Sequence, residues 1–161
     1  MFVIPGLLVR FSLFMMNIGN AMTPDLLYRL APPLIALQFA SLGWRVNREI
    51  NHEDADRGTW ILIPDVLNMM SLVATVICVI VLPIATETYF WLSRMVLGVG
   101  YVLIAFYPLT IAAHYRLWSR KGRSKSVRDG NSYPYATREE VISSSFSIAL
   151  AILAAAYIGR Y

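Results

Sequence analysis

The sequence predicts an all-α integral membrane protein, a four-helix transmembrane bundle with an N-terminal interfacial helix that could instead be a fifth span. Three observations carry this. The 161-residue chain is 57% hydrophobic and 15% charged, with a mean hydropathy of +0.55, whereas soluble domains are about a quarter charged. Four long apolar runs recur along it. The basic residues gather in the connections between those runs. The whole of 1–161 reads as one membrane domain, with no soluble domain attached.

Residues 1–22, MFVIPGLLVRFSLFMMNIGNAM, are apolar but carry Arg10 in the middle. A span here would place that arginine deep in the bilayer, costing roughly 2.5–3.5 kcal/mol. Lying in the interface avoids this cost. The first span is read at 26–46. It contains Pro32-Pro33, a kink that neighbouring helices must satisfy by donating to the freed carbonyls. The second span is 60–83, WILIPDVLNMMSLVATVICVIVLP, with Asp65 as its one charge. The third is 89–115, with Arg94 and Pro108, and the fourth is 141–158. At about 1.5 Å per residue each can cross a hydrocarbon core of about 30 Å. No internal repeat is evident.

The connections set the expected orientation. Residues 116–140 form a basic loop with Arg116, Arg120, Lys121, Arg123, Lys125 and Arg128. With Arg138 and with Arg45, Arg48 and Arg57 after the first span, these make ten of the fourteen basic residues. The positive-inside rule places both long loops in the cytoplasm of a plasma- or inner-type membrane, with the C-terminus outside. Trp44, Trp60, Tyr115 and Trp118 then mark one interface, and Tyr89, Trp91, Tyr157 and Tyr161 the other. The loop is expected to lie against the bilayer and anionic lipid. No aromatic framework accompanies its charge, so nucleic acid is not an expected partner.

Several residue groups are candidates for function. On the second span Asp65, Asn68, Ser71, Thr75 and Cys78 follow one another at intervals of 3, 3, 4 and 3. Helical pitch aligns them in one polar stripe. That stripe is either interhelical glue or the wall of a polar path, with Asp65, Asn68, Ser71 and Thr75 as its lining. Pro64 puts Asp65 in a helix first turn, where backbone N–H groups favour an anion. His114 approaches the same boundary, and an Asp65–His114 pair is one reading. At the other boundary Arg29, Glu87 and Arg94 form a possible charge cluster, with Glu87 seven residues before Arg94. On the fourth span Ser143, Ser147, Ala151, Ala155 and Gly159 recur every four residues. Such a ridge of small residues admits close helix approach. It suits packing inside the bundle or, slightly preferred, a subunit interface.

The chain has no GxSxG, HExxH, Gly-rich phosphate loop or metal-ligand cluster. A lone Cys78 excludes an intramolecular disulfide and a CxxC pair. The expected function is therefore non-enzymatic, with no cofactor and no metal: action by helix association, as a homo-oligomer or a small subunit of a membrane complex. The alternative is an oligomeric channel or small transporter lined by the second-span stripe. A membrane enzyme with a site near Asp65, His114 and Arg116 is the third reading.

Overall fold

The computed structural model describes residues 24–50, 61–87, 90–115 and 136–160, and these are helical apart from short caps and turns. Four helices are long and apolar enough to cross a membrane. We label them α1 (Pro24–Ile50), α2 (Ile63–Thr86), α3 (Phe90–His114) and α4 (Arg138–Ile158). Residues 1–22 and the basic loop positions Arg116, Arg120, Lys121, Arg123, Lys125 and Arg128 lie outside the described residues.

The helix starts follow local chemistry. Thr137 caps α4: its hydroxyl accepts the Glu140 N–H at 3.0 Å, and the Thr137 N–H reaches Glu140 Oε2 at 3.4 Å. This is a reciprocal capping box. It starts α4 at Arg138, three residues before the predicted 141. At α2 the cap is Leu62, whose side chain has no acceptor. Only half of the box exists there, the Leu62 N–H reaching Asp65 Oδ2 at 3.4 Å.

α3 is the organising helix. It packs against all three others, most extensively against α4, while α1 and α2 pack on one another and on α3. The apolar core is divided. Leu27, Ala31, Leu34, Val79 and Leu97 form one buried cluster. Leu62, Tyr107, Ile111 and Tyr115 form a second at the end from which the two long connections leave, called here the loop end. Between them lies a layer of buried polar side chains: Gln38, Asn68, Ser71 and Thr75.

Two irregularities shape the bundle. Pro32 and Pro33 of α1 face outward, and Tyr101 Oη of α3 donates to the Leu30 carbonyl beside them at 2.9 Å. In α2, residues Val76–Val81 wind as a π-helix, with the Leu82 N–H reaching the Ile77 carbonyl five residues back. Pro83, which has no N–H to give to Val79, follows immediately. The wider turn rotates the rest of α2. Val79, 1% exposed, takes the inward position that α-helical spacing predicts for Cys78, which is only partly buried. The polar stripe therefore ends at Thr75.

Candidate functional site

The stripe of α2 faces into the bundle, as expected from its pitch: Asp65, Asn68, Ser71 and Thr75 are all buried. At the loop end Asp65 accepts from Arg45 Nε of α1 at 3.1 Å and from Tyr107 Oη of α3 at 2.6 Å. Arg45 and Asp65 are each 5% exposed. Both carboxylate oxygens are thus engaged, and three helices are tied by one acid. A buried pair of this kind is tolerated because each charge is compensated and hydrogen-bonded.

A second tie of the same kind joins α3 to α4. His114 Nδ1 lies 2.6 Å from Glu140 Oε2. Oε1 of the same carboxylate accepts the Ile63 N–H, the first of α2, at 3.2 Å. Glu140 has no exposed surface and sits where the N-termini of α2 and α4 converge. Backbone N–H groups and two helix dipoles favour its anion there. Thr137 adds a hydroxyl bond to the Ala113 carbonyl at 3.2 Å.

Below these ties is the polar layer. Gln38 Nε2 donates to Ser71 Oγ at 2.9 Å, and Asn68 Nδ2 donates to the Gln38 carbonyl at 3.2 Å. Thr75 donates back to the Ser71 carbonyl at 2.8 Å. Gly100 of α3 closes the layer: a Cβ there would fall 2.7 Å from Leu34 and 3.3 Å from Ser71 Oγ. Gln38 Oε1 and Asn68 Oδ1 are buried and accept no hydrogen bond. The Asn68 orientation is fixed because its nitrogen meets a carbonyl, which only accepts, whereas Gln38 meets a hydroxyl, which can accept or donate. Further along, Ser93 Oγ donates to the Cys78 carbonyl, in the π segment, at 2.6 Å.

Two sequence expectations are corrected. Asp65 and His114 do not pair. Asp65 is taken by Arg45 and Tyr107, and His114 by Glu140. The cluster of Arg29, Glu87 and Arg94 does not form as one unit, because Arg29 pairs with Asp25 one turn back at 3.1 Å on the exposed surface. Glu87 instead ends α2 in the left-handed conformation, at φ 55°. The small-residue ridge is used within the chain. Ser143, Ser147 and Ala151 are buried by the bundle, and Gly159 and Gly98 meet Met95 and Ile158 across the α3–α4 contact.

Four residues that carry the site were not singled out by the sequence: Arg45, Gln38, Tyr107 and Glu140. Glu140 had a signal available, the Thr-x-x-Glu box directly before an apolar run. Gln38 had a weaker one, as the one side-chain amide in its span. No family model, curated protein or solved structure matches the chain.

Proposed function

We propose that the chain is a non-enzymatic multi-pass membrane protein that encloses a small polar solute or ion between its helices, as a small transporter or channel. The α2 stripe is one wall of that path. One observation carries the reading: two buried amide oxygens, on Gln38 and Asn68, lack donors in a polar layer bounded by apolar clusters at both ends. An unsatisfied buried acceptor costs about 1–3 kcal/mol. Ser71 Oγ and Thr75 Oγ1 of the same stripe each have a partner, so the two missing donors are specific to the amide oxygens within this layer, although Ser144 Oγ of α4 is also without a partner. Apolar residues above and below make this the occluded arrangement of such a layer. Polar groups inside a membrane bundle mark solute and ion pathways.

The loop end faces the cytoplasm in this reading, with the basic loop against anionic lipid. Asp65 and Glu140 hold helices, not reactants, so no chemical step is assigned to them. The reading by helix association no longer has the α4 ridge as its support, since α3 covers it. Flux in sealed proteoliposomes tests the proposal, using dyes for sodium, potassium and protons. Wild-type chain is expected to raise flux of one of these above that of empty liposomes, and Gln38→Leu and Asn68→Leu to abolish it while leaving helicity and monodispersity intact. Flux that survives both substitutions, or none above the empty vesicles, overturns it.

A further inference from the structure

Among the described residues three buried side-chain atoms lack a hydrogen-bond partner: Gln38 Oε1, Asn68 Oδ1 and Ser144 Oγ. Their residues are at most 2% exposed and belong to α1, α2 and α4. All three lie at nearly one depth. The Asn68 Nδ2 bond to the Gln38 carbonyl sets α1 and α2 level with one another. The Ile63 N–H bond to Glu140 sets the first turn of α2 against that of α4, and both helices run away from the loop end. Asn68 then stands about 7.5 Å along α2 from that contact, and Ser144 about 6 Å along α4. The neighbouring serines of α4 behave differently. Ser143 donates to the Glu140 carbonyl at 3.1 Å and Ser147 to the Ser143 carbonyl at 2.8 Å. Ser144, as deeply buried as Ser147, gives its hydroxyl to no such carbonyl.

We propose that Gln38, Asn68 and Ser144 ligate one dehydrated monovalent cation, sodium or potassium, between α1, α2 and α4. The inference rests on the reading of this layer as a solute site, and it names the ligand. Asn68 sets the sign of the charge. Its nitrogen is spent on a carbonyl, so its free atom is an oxygen that only accepts, and an anion is repelled there. Gln38 presents Oε1 while its Nε2 goes to Ser71 Oγ, and the Ser144 hydroxyl offers lone pairs. The acids one turn closer to the loop end set the valence, because both are taken up. Asp65 accepts from Arg45 and Tyr107, and Glu140 meets His114 and the Ile63 N–H. The layer therefore supplies neutral oxygens. Such oxygens replace the hydration shell of a monovalent ion, whereas calcium and magnesium call for carboxylates. Dehydration also costs more as the square of the charge. The positive N-terminal ends of α2 and α4 would oppose a cation, but Asp65 and Glu140 stand in their first turns and offset them.

The test is thermal unfolding of the full chain in nanodiscs of zwitterionic lipid. Sodium or potassium chloride replaces N-methylglucamine chloride at constant ionic strength. A ligand of the folded state raises the midpoint as its concentration passes the dissociation constant. One of the two salts is expected to raise it by several degrees between about 1 and 100 mM. Calcium chloride at matched ionic strength is expected to leave it at the N-methylglucamine value. Ser144→Ala removes no hydrogen bond, so its midpoint in N-methylglucamine should equal that of wild type, while about tenfold more of the active salt is needed for the same shift. Asn68→Leu is expected to lose the shift altogether; should it not fold, Ser144→Ala decides alone. No shift with either salt, as for a layer that holds only water, overturns the site. So does a shift that Ser144→Ala leaves unchanged, or a larger one with calcium. Flux separates this inference from the function proposed above. A midpoint shift without flux keeps the cation site and removes transport, whereas flux without a shift keeps transport and removes the site.

Discussion

Removing the Arg45 side chain isolates the energetics of the loop-end clamp. In Arg45→Met, the Asp65 carboxylate stays buried beside α3 with Tyr107 Oη and the Leu62 N–H as its remaining partners. Breaking a buried pair by taking one partner away costs about 3–5 kcal/mol, because a charge is left uncompensated. For a chain of this size that corresponds to a fall in midpoint of roughly 10 °C. Asp65→Leu alone costs a similar amount, since the Arg45 guanidinium and the Tyr107 hydroxyl both lose their acceptor. The combination Arg45→Met, Asp65→Leu and Tyr107→Phe removes all three polar groups together. It is expected to return to within about 1.5 kcal/mol of wild type, as replacement of a whole buried ion pair by apolar residues often does. Reversible unfolding in mixed detergent–lipid micelles, followed by far-ultraviolet dichroism, measures all of these. Single losses below about 1 kcal/mol, or a triple variant as damaged as the sum of the singles, refute the account of Asp65 as a compensated buried charge.

Four further outcomes are expected. Gly100→Ala places a methyl 2.7 Å from Leu34, a fully buried side chain, and should cost about 1–3 kcal/mol by overpacking. Gly43→Ala, with nothing within 4 Å, should stabilise by up to about 1 kcal/mol in the same unfolding assay. Ala151→Phe should lower the unfolding midpoint without changing the size of the particle in light scattering, because the ridge at Ala151 packs inside the chain. Thr137→Ala removes both the α4 cap and the bond to the Ala113 carbonyl, and should lose about 1–2 kcal/mol, seen as faster hydrogen exchange in the first turn of α4.

The spans were legible because their signal is one-dimensional: length and apolarity suffice, and each span lies within a few residues of its helix. The inward face of α2 was legible for the same reason, since pitch alone aligns Asp65, Asn68, Ser71 and Thr75. Cys78 left the stripe because a π turn ahead of Pro83 changed the pitch, and pitch was the whole basis of its assignment. Partner choice was not legible. Asp65 meets Arg45 and Tyr107, and not His114, by virtue of how α1 and α3 are rotated, which no spacing within one helix encodes. Arg45 was read as a topology signal because every basic residue near a span end looks the same in sequence. Glu140 was read as the end of a loop, although its capping box marked the start of a helix.

Placement of the counter-charges has a consequence for biosynthesis. Arg45 and Asp65 belong to consecutive helices, and so do His114 and Glu140. Each acid therefore meets its base within the same pair of neighbouring helices. In chain order, Asp65 can thus be compensated by Arg45 before α3 is added. Tyr107 of α3 and the Ile63–Glu140 contact are added only when the second pair docks. The unit of assembly is the pair, since each of these two buried acids finds its base inside it.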